Sequence, residues 1–592
     1  MSQITSSTPL PCSAQDCQRL GWHGVDIVLV TGDSYIDHPS FGVALIGRLL
    51  LSHGYRVAIL SQPRYDSPDD FRRLGRPRLF FGITAGNLDS IVANYTGNGK
   101  VRDVDNYSPH GNPWRDATKT KTNRRRPDRA VLIYANLARA AYKESTIVLG
   151  GIEASLRRFV HFDYKQNKLR GSFLVDAKAD LLLYGMAEKS VIETAARLRA
   201  NQDLYGIKGS CVRLTKQQME ARFPGLDQGK DHGTTVLPSQ QAIETNKNDF
   251  LVAEQLIDTH ARSYSKKILV QHQKSHWVIQ FPSPTPLTSE ELDNLYDLPF
   301  SRKPAQPKEK IPAYTMIRHS VTIVRGCSGN CSFCAISRHQ GPRISSRSVA
   351  SIVREAEQIS RMDDFSGTIS DLGGPTANLY GTDCAIGSCP KHDCLYPKLC
   401  HNLQVDETLF LTLLDRVQAI SGVKHVFISS GLRLELLLRT PKLLQQIIRS
   451  HTPGAIKIAP EHTEPEVLQL MHKESHEMLD RFVKTCRKVG RQMDKQVIFS
   501  PYIILSHPGS SEKGCSSMVK KLKGLGLQVR QFQDFTPTPG TLSTAMFVTG
   551  LHRDTGQAIS VPRNQAQRKR QRSIIEKHFL PGRPGRKGKN RR

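Results

Sequence analysis

No stretch of this 592-residue chain approaches about 20 consecutive apolar residues, which excludes a membrane-spanning helix as far as a sequence can. The opening residues, MSQITSSTPLPCSAQDC, lack a charged lead followed by an apolar run, so no secretory leader is expected and a cytoplasmic location is. Acidic residues are scarce beside basic ones: 54 Asp and Glu face 83 Lys and Arg, for a formal charge of +29. A hydrophobic content of 38% is near the globular norm and excludes wholesale disorder. At about 150 residues per domain, the length predicts two to four domains.

Cysteine is present and unevenly placed. Seven of the 12 lie between Cys327 and Cys400. In a reducing compartment such thiols read as metal ligands or reactive groups rather than disulfides. Cys12, Cys17, Cys211, Cys486 and Cys515 are scattered and read as small buried or surface residues. The basic excess is concentrated at the end, where Arg563 to Arg592 holds 12 basic residues and one acid, Glu576. GRPGRKGKNRR cannot build a core and reads as a disordered tail, either a solvated one or one that touches RNA through phosphate charge.

Along the chain, VDIVLVTG, RVAILSQP, LFFGIT, STIVLGG and ADLLLYG are apolar runs ended by Gly or Pro, the pattern of buried parallel strands. VALIGRLLLSHGY between the first two has helical spacing, with Gly54 as its C-cap. Strands alternating with helices predict an α/β doubly wound parallel sheet, whose ligand crevice lies at the strand C-termini. Asp33, Asp37 and His38, and later Gly150, Gly151 and Glu153, follow such strand ends, as crevice residues or as helix-capping loop residues. The expected organisation is a disordered N-terminus over 1–20 and the doubly wound domain over 21–212. A helical and Pro-rich connecting region over 213–312 follows, with Thr288 as a helix N-cap. A (β/α) partial barrel over 313–548 with a Cys-rich insertion at 384–400, and a largely disordered basic extension over 549–592, complete the chain.

The most specific signal is RGCSGNCSFCAI, with Cys327, Cys331 and Cys334 at C-x3-C-x2-C. Three thiolates on one short loop suit an iron–sulfur cluster that leaves one iron open, or a zinc module that borrows a fourth ligand such as His339. Phe333 is placed to stack on a flat group beside such a centre. A second set, Cys384, Cys389, Cys394 and Cys400, falls within 17 residues and is a candidate zinc site or closed cluster, with His392 as a substitute ligand.

The C-x3-C-x2-C loop resembles that of the radical S-adenosylmethionine (radical SAM) enzymes. DLGGPTANLYG resembles the Gly-Gly segment that in those enzymes contacts the methionyl amino group. The segments HVFISSGLRLELL, AIKIAPEHTEPEVLQLMHK, VIFSPYIILSHPGSSEKG and QVRQFQDFTPTPGT are similar to later strands of methylthiotransferase-type barrels. Together with DSYIDHPSFGVALIGRLL, GGIEASLRRF, PLTSEELDNLYDLPF and IPAYTMIR they resemble the YgiQ-type family, over roughly Trp22 to Phe547.

The resemblance implies an enzyme in which Cys327, Cys331 and Cys334 hold a 4Fe–4S cluster. S-adenosylmethionine would lie against Phe333, Gly373, Gly374 and Pro375, with Ser430, Arg433, Glu461 and His462 as candidates for ribose, carboxylate or substrate contacts. A low-potential electron donor of flavodoxin or ferredoxin type is implied as partner. The N-terminal domain is also similar to cobalamin-binding folds. However, Asp37 and His38 are adjacent, which is not the Asp-x-His-x-x-Gly pattern, and cobalamin is not expected. The competing reading is a non-catalytic zinc protein that binds nucleic acid through its basic surface.

Overall fold

The structure, a computed structural model, describes residues 8–226, 229–230, 232–387, 389 and 393–580. Among them, no helix is long and apolar enough to cross a membrane. The apolar runs form β1 (Ile27–Thr31), β2 (Val57–Ser61), β3 (Phe80–Ile83) and β4 (Thr146–Leu149). An antiparallel hairpin of β5 (His161–Asp163) and β6 (Lys168–Arg170) precedes β7 (Leu181–Leu183) and β8 (Ser210–Thr215). Then come β9 (Thr234–Val236), β10 (Ile268–Gln273) and β11 (His276–Gln280).

One nine-stranded sheet runs β2-β1-β3-β4-β7-β8-β11-β10-β9. Its first five strands are parallel, with Ile27 beside both Val57 and Phe80, and β8 and β11 enter antiparallel. Every residue of β1 is buried, which is why it reads as an unbroken apolar run. The helix Gly42–Ser52 packs its Val43, Leu45 and Leu50 inward, and Gly54 leaves it with φ +79°.

Three stretches differ from their expectation. Residues 213–312 carry β9, β10 and β11, so the sheet continues through the region read as a connector. There the alternation is antiparallel and half-polar, as in QHQ and HWVIQ, and lacks the strand-then-Gly mark. Residues 8–20, read as disordered, form the helix Ala14–Arg19 capped by Ser13. Leu10 is buried, and the Pro11 carbonyl accepts from Ile59 N–H at 2.8 Å. The basic extension holds the helix Gln565–Phe579, which buries Arg568, Gln571, Ile575 and Phe579 against the barrel. That spacing is one helical face, hidden in the sequence by the surrounding charge. The candidate RNA-binding end of the tail, 581–592, lies outside the described residues.

The β2-β1-β3 order places a topological switch point between β1 and β3, where doubly wound sheets hold ligands. Here the side chains are spent inside the protein. Buried Arg126 pairs with Asp33 at 2.6 Å and Asp105 at 3.0 Å. Asp37 pairs with Arg48 and accepts from Ser301 N–H at 2.8 Å. His38 Nδ1 accepts from Ser40 N–H at 3.0 Å, and its Nε2 lies 2.7 Å from Arg302 Nη2. Glu153 accepts from Ser90 N–H at 2.7 Å and Val131 N–H at 3.0 Å. Packing and capping, not a crevice, describe all four.

The second half is a partial (β/α) barrel. Its parallel strands are β12 (Ser320–Thr322), the interrupted pair β15 (Thr368–Ile369) and β16 (Asp371–Gly373), and β19 (His425–Val426). They continue through β20 (Ile456–Glu461), β21 (Phe499–Leu505) and β22 (Gln531–Asp534). Short β13 (Val324–Arg325) and β14 (Ser345–Ser346) bracket the first cysteine loop. An antiparallel ribbon of β17 (Thr382–Cys384) and β18 (Leu403–Val405) brackets the second. The helices Val349–Ser360, Glu407–Gln418, Pro441–Ser450, His476–Gln492 and Glu512–Gly524 alternate with the strands and share one apolar core with them. A second apolar cluster joins Val160, Phe162 and Phe250 of the first half to Met471, Ile504 and Phe535, so the N-terminal domain covers the barrel mouth.

Candidate functional site

β13 leads directly into the three-cysteine loop. Gly326 turns the chain with φ +83°, and any side chain there would collide with the Arg343 carbonyl oxygen. Gly326 N–H donates to Gln340 Oε1 at 3.1 Å and Cys327 N–H to the Gly341 carbonyl at 3.1 Å, tying the loop's start to its return. Ser332 holds the middle from three sides. Its N–H donates to the Met471 carbonyl at 2.9 Å, its carbonyl accepts from Ser543 N–H at 2.9 Å, and its Oγ accepts from Arg553 Nη1 at 2.7 Å. Burial, then the nearby Cys331 and Cys327 thiols, pushes the Cys334 thiol up to about 12, so the three sulfurs stand within electrostatic reach of one another. Among the described residues, no three His, Cys, Asp or Glu side chains are drawn up as they would be around a bound metal ion.

Arg433 is brought to this loop by the turn after β19. Asn378 fixes its backbone, its Oδ1 accepting from Arg433 N–H at 2.9 Å and its Nδ2 donating to the Arg433 carbonyl at 2.9 Å. The buried guanidinium donates to Cys331 Sγ at 3.2 Å and lies 3.9 Å from Glu435 and 3.8 Å from Glu474. Lys473 pairs with Glu474 at 2.9 Å, making a buried set of two cations and three carboxylates with Glu461. Glu461 ends β20 at φ +62°, a conformation that strains any residue but Gly. Burial, opposed by Lys473 and reinforced by Glu474, pushes its carboxyl up to about 8. Its Oε2 has no hydrogen-bond partner, nor have Glu435 Oε2, Ser328 Oγ and His462 Nε2.

Gly373 and Gly374 close β16. A Cβ on Gly373 would run into Ser430 Oγ and Asp371, and one on Gly374 would meet the Val324 carbonyl oxygen at 2.5 Å. Their smallness lets β16 lie against its neighbours, a role beside the ligand approach that the resemblance implies. Ser430 is engaged: its Oγ donates to Asp371 Oδ2, and its N–H and that of Ser429 donate to Oδ1 at 3.0 and 2.7 Å. Pro375 lies next to Thr376, whose Oγ1 is 3.9 Å from Cys327 Sγ. Asp371, Asn378, Glu435, Lys473 and Glu474 were not singled out from the sequence. Asp371 carried the one readable signal, its place two residues before the Gly-Gly pair at a strand start.

Phe333 faces into the apolar cluster between the domains, edge-on to His507 at 6.4 Å. His507 donates from Nδ1 to the Pro508 carbonyl at 2.8 Å and accepts at Nε2 from Ser543 Oγ at 2.6 Å. Burial, with His462 nearby, pushes its imidazolium down to about 3. Unfolded, it titrates near pH 6.5, so its contribution to stability is complete above 6.5 and is lost as pH falls from there toward 3. This group alone is expected to cost about 2 kcal/mol between pH 7 and pH 5. Urea denaturation of the parent and of His507→Asn measures it: the variant's stability declines less steeply with acid, and equal slopes would contradict the assignment.

The second thiol set lies beside the first. Cys394 and Cys327 share an apolar cluster with Leu379, Leu395 and Leu436, and Asp393 Oδ1 accepts from Asn330 Nδ2 at 2.7 Å. Cys400 N–H donates to the Cys394 carbonyl at 2.9 Å. Burial, then Cys400, Cys384 and Cys389, pushes the Cys394 thiol up to about 12. His392, the candidate substitute ligand, lies outside the described residues.

The donor chemistry fits a thiolate-held iron–sulfur group on the first loop. Three sulfurs on one tied loop stand within the electrostatic reach of one guanidinium, which donates to Cys331, and Ser328 Oγ on the same loop is buried without a partner.

Family patterns match the chain in the same two halves: Radical SAM N-terminal over residues 9–320 and Radical SAM superfamily over 321–513. Among curated proteins, a UPF0313 protein of Thermotoga neapolitana is 42% identical, over 96% of this chain and 98% of its own length. A UPF0313 protein of Methanocella arvoryzae is 41% identical, over 95% of this chain and 92% of its own. Among solved structures, the radical S-adenosylmethionine methyltransferase TsrM of Kitasatospora setae superimposes with TM-score 0.48 at 15% identity, over 87% of this chain and 74% of that one. The chain belongs to the UPF0313 family, the YgiQ-type branch of the radical SAM enzymes, whose cofactors are a 4Fe–4S cluster and S-adenosylmethionine.

Proposed function

We propose that Cys327, Cys331 and Cys334 hold the 4Fe–4S cluster and that S-adenosylmethionine lies beside it among Phe333, Gly373, Gly374, Pro375, Ser430, Arg433 and Glu461. Those groups supply one-electron cleavage of the sulfonium to methionine and a 5′-deoxyadenosyl radical, with the electron from a flavodoxin- or ferredoxin-like donor. The chain's own part is to hold and to shield. Arg433 steadies Cys331 and offers a fork for a carboxylate. Glu461 and His462 present unpartnered polar atoms to a ligand. The N-terminal domain covers the barrel mouth and limits water. The observation that carries the reading is the tied cysteine loop with Arg433 on Cys331. Formation of 5′-deoxyadenosine by anaerobically reconstituted protein given dithionite and S-adenosylmethionine tests it. The zinc and nucleic-acid reading leaves Arg433 and the strained Glu461 without a task.

Cys384, Cys389, Cys394 and Cys400 form a second metal centre in this proposal, zinc or a closed cluster, supported by their mutual electrostatic reach and by the packing of Cys394 against the apolar cluster that holds Cys327. Changing all four to serine is expected to lower the measured metal content per chain while the first cluster persists. An unchanged metal count would refute the second centre.

A further inference from the structure

Apart from the cysteine loops, the molecule has a cleft of about 90 Å³ between the C-terminal edge of the N-terminal sheet and the outer side of the first cysteine loop. The sheet side contributes Arg158 and Tyr184, and the loop side contributes Gly326, Arg338 and Arg343. Charge along the walls is one-sided: Arg158, Lys189, Arg325, Arg338 and Arg343 against Glu188.

Two of these cations are matched. Arg325 pairs with Glu188 at 2.5 Å, and Lys189 with Glu291 at 2.8 Å. Arg158 is not. It is 4% exposed, donates from Nε to Gln280 Oε1 at 2.6 Å and from Nη1 to the Ser155 carbonyl, and packs over the Tyr184 ring at 4.9 Å. Among the described residues it makes no ion pair within 4 Å, Glu254 acting on it only at longer range, and burial pushes its guanidinium down. Arg338, 8% exposed, reaches Asp258 at 3.4 Å and Glu254 at 3.7 Å through Nη2 alone, leaving buried Nη1 without a partner. Arg343 lies over Tyr264 at 5.2 Å and donates to the Gly387 carbonyl at 2.8 Å. A buried guanidinium without an anion is costly to keep. A phosphate presents three or four oxygens and so can bridge guanidinium groups that stand on opposite walls.

We propose that this cleft binds a phosphate-sized oxyanion between Arg158 and Arg338, with Arg343 at its rim. The occupant is free phosphate or the terminal phosphate of a monoester. Bound there, it joins the N-terminal sheet to the loop carrying Cys327, because Gly326 and Gln340 form one wall.

Equilibrium dialysis of the full-length reconstituted protein against inorganic phosphate, at constant ionic strength, is the test. One phosphate per chain is expected. Arg158→Gln and Arg343→Gln should each raise the dissociation constant at least about tenfold, equivalent to 1.4 kcal/mol. Lys520→Gln, exposed on a barrel helix, should leave it unchanged. Arg343→Gln serves if Arg158→Gln fails to fold. Displacement of phosphate by methyl phosphate identifies a monoester as occupant, and its failure to displace identifies free phosphate. No saturable binding below about 10 mM, or unchanged binding in both arginine variants, overturns the proposal.

Discussion

Replacing Arg433 with methionine is expected to lower folding stability by about 3–5 kcal/mol and to cut 5′-deoxyadenosine formation about 10–100-fold. The reason lies in what the guanidinium holds at once. It donates to Cys331 Sγ at 3.2 Å and lies within 4 Å of both Glu435 and Glu474, all in a buried pocket. Without it, Glu474 keeps Lys473 at 2.9 Å, but Glu435 loses its ion pair and is left with only the longer-range pull of Lys473. Burial and Glu474 already push the Glu435 carboxyl up, so the loss falls on a group held charged with difficulty. Arg433→Lys preserves the charge but not the planar fork. It should recover much of the stability while iron retention stays low. Urea denaturation and iron content per chain separate the two effects. Parent-like iron and activity in the methionine variant would remove Arg433 from the site.

Gly326→Ala should leave a folded protein that takes up little iron. Gly326 is left-handed at φ +83°, which costs any other residue about 1–2 kcal/mol. In addition, the new methyl would be driven into the Arg343 carbonyl oxygen, so the cysteine loop must move rather than a side chain. Gly206 is the control, left-handed at φ +85° with nothing within 4 Å of where a Cβ would sit. Gly206→Ala carries the backbone cost without the collision and should keep its iron. Equal iron uptake in the two variants would show that the position of the loop is not set at Gly326.

Parts of this architecture are legible in the sequence because they are local. The C-x3-C-x2-C loop, the Gly-Gly strand end and the apolar strands each sit within a dozen residues, and the structure puts them on one barrel and one sheet. What stayed hidden depends on distant chain meeting. The charge set around Arg433 gathers residues from the turns after β19 and β20 and from the helix end at Lys473, with no spacing to announce it. Asp37 and His38 look like ligands in the sequence because polar residues follow a strand. Their partners Arg48, Ser301 and Arg302 come from elsewhere and make them structural. The helix Gln565–Phe579 was obscured by its own charge. Four inward positions suffice to dock it, and Gln571 completes the contact by accepting from Ser506 N–H at 3.1 Å and Ser510 Oγ at 3.0 Å.

The central claim, that the tied loop holds the reactive cluster, is tested most directly by iron, sulfide and 5′-deoxyadenosine in one anaerobic experiment. Parent protein and a Cys327→Ala, Cys331→Ala, Cys334→Ala triple variant are reconstituted side by side, then given dithionite and S-adenosylmethionine. Roughly four irons per chain or more are expected in the parent, about four fewer in the variant, and 5′-deoxyadenosine in the parent alone. Zinc without iron in the parent, or 5′-deoxyadenosine formed equally by the variant, would contradict it.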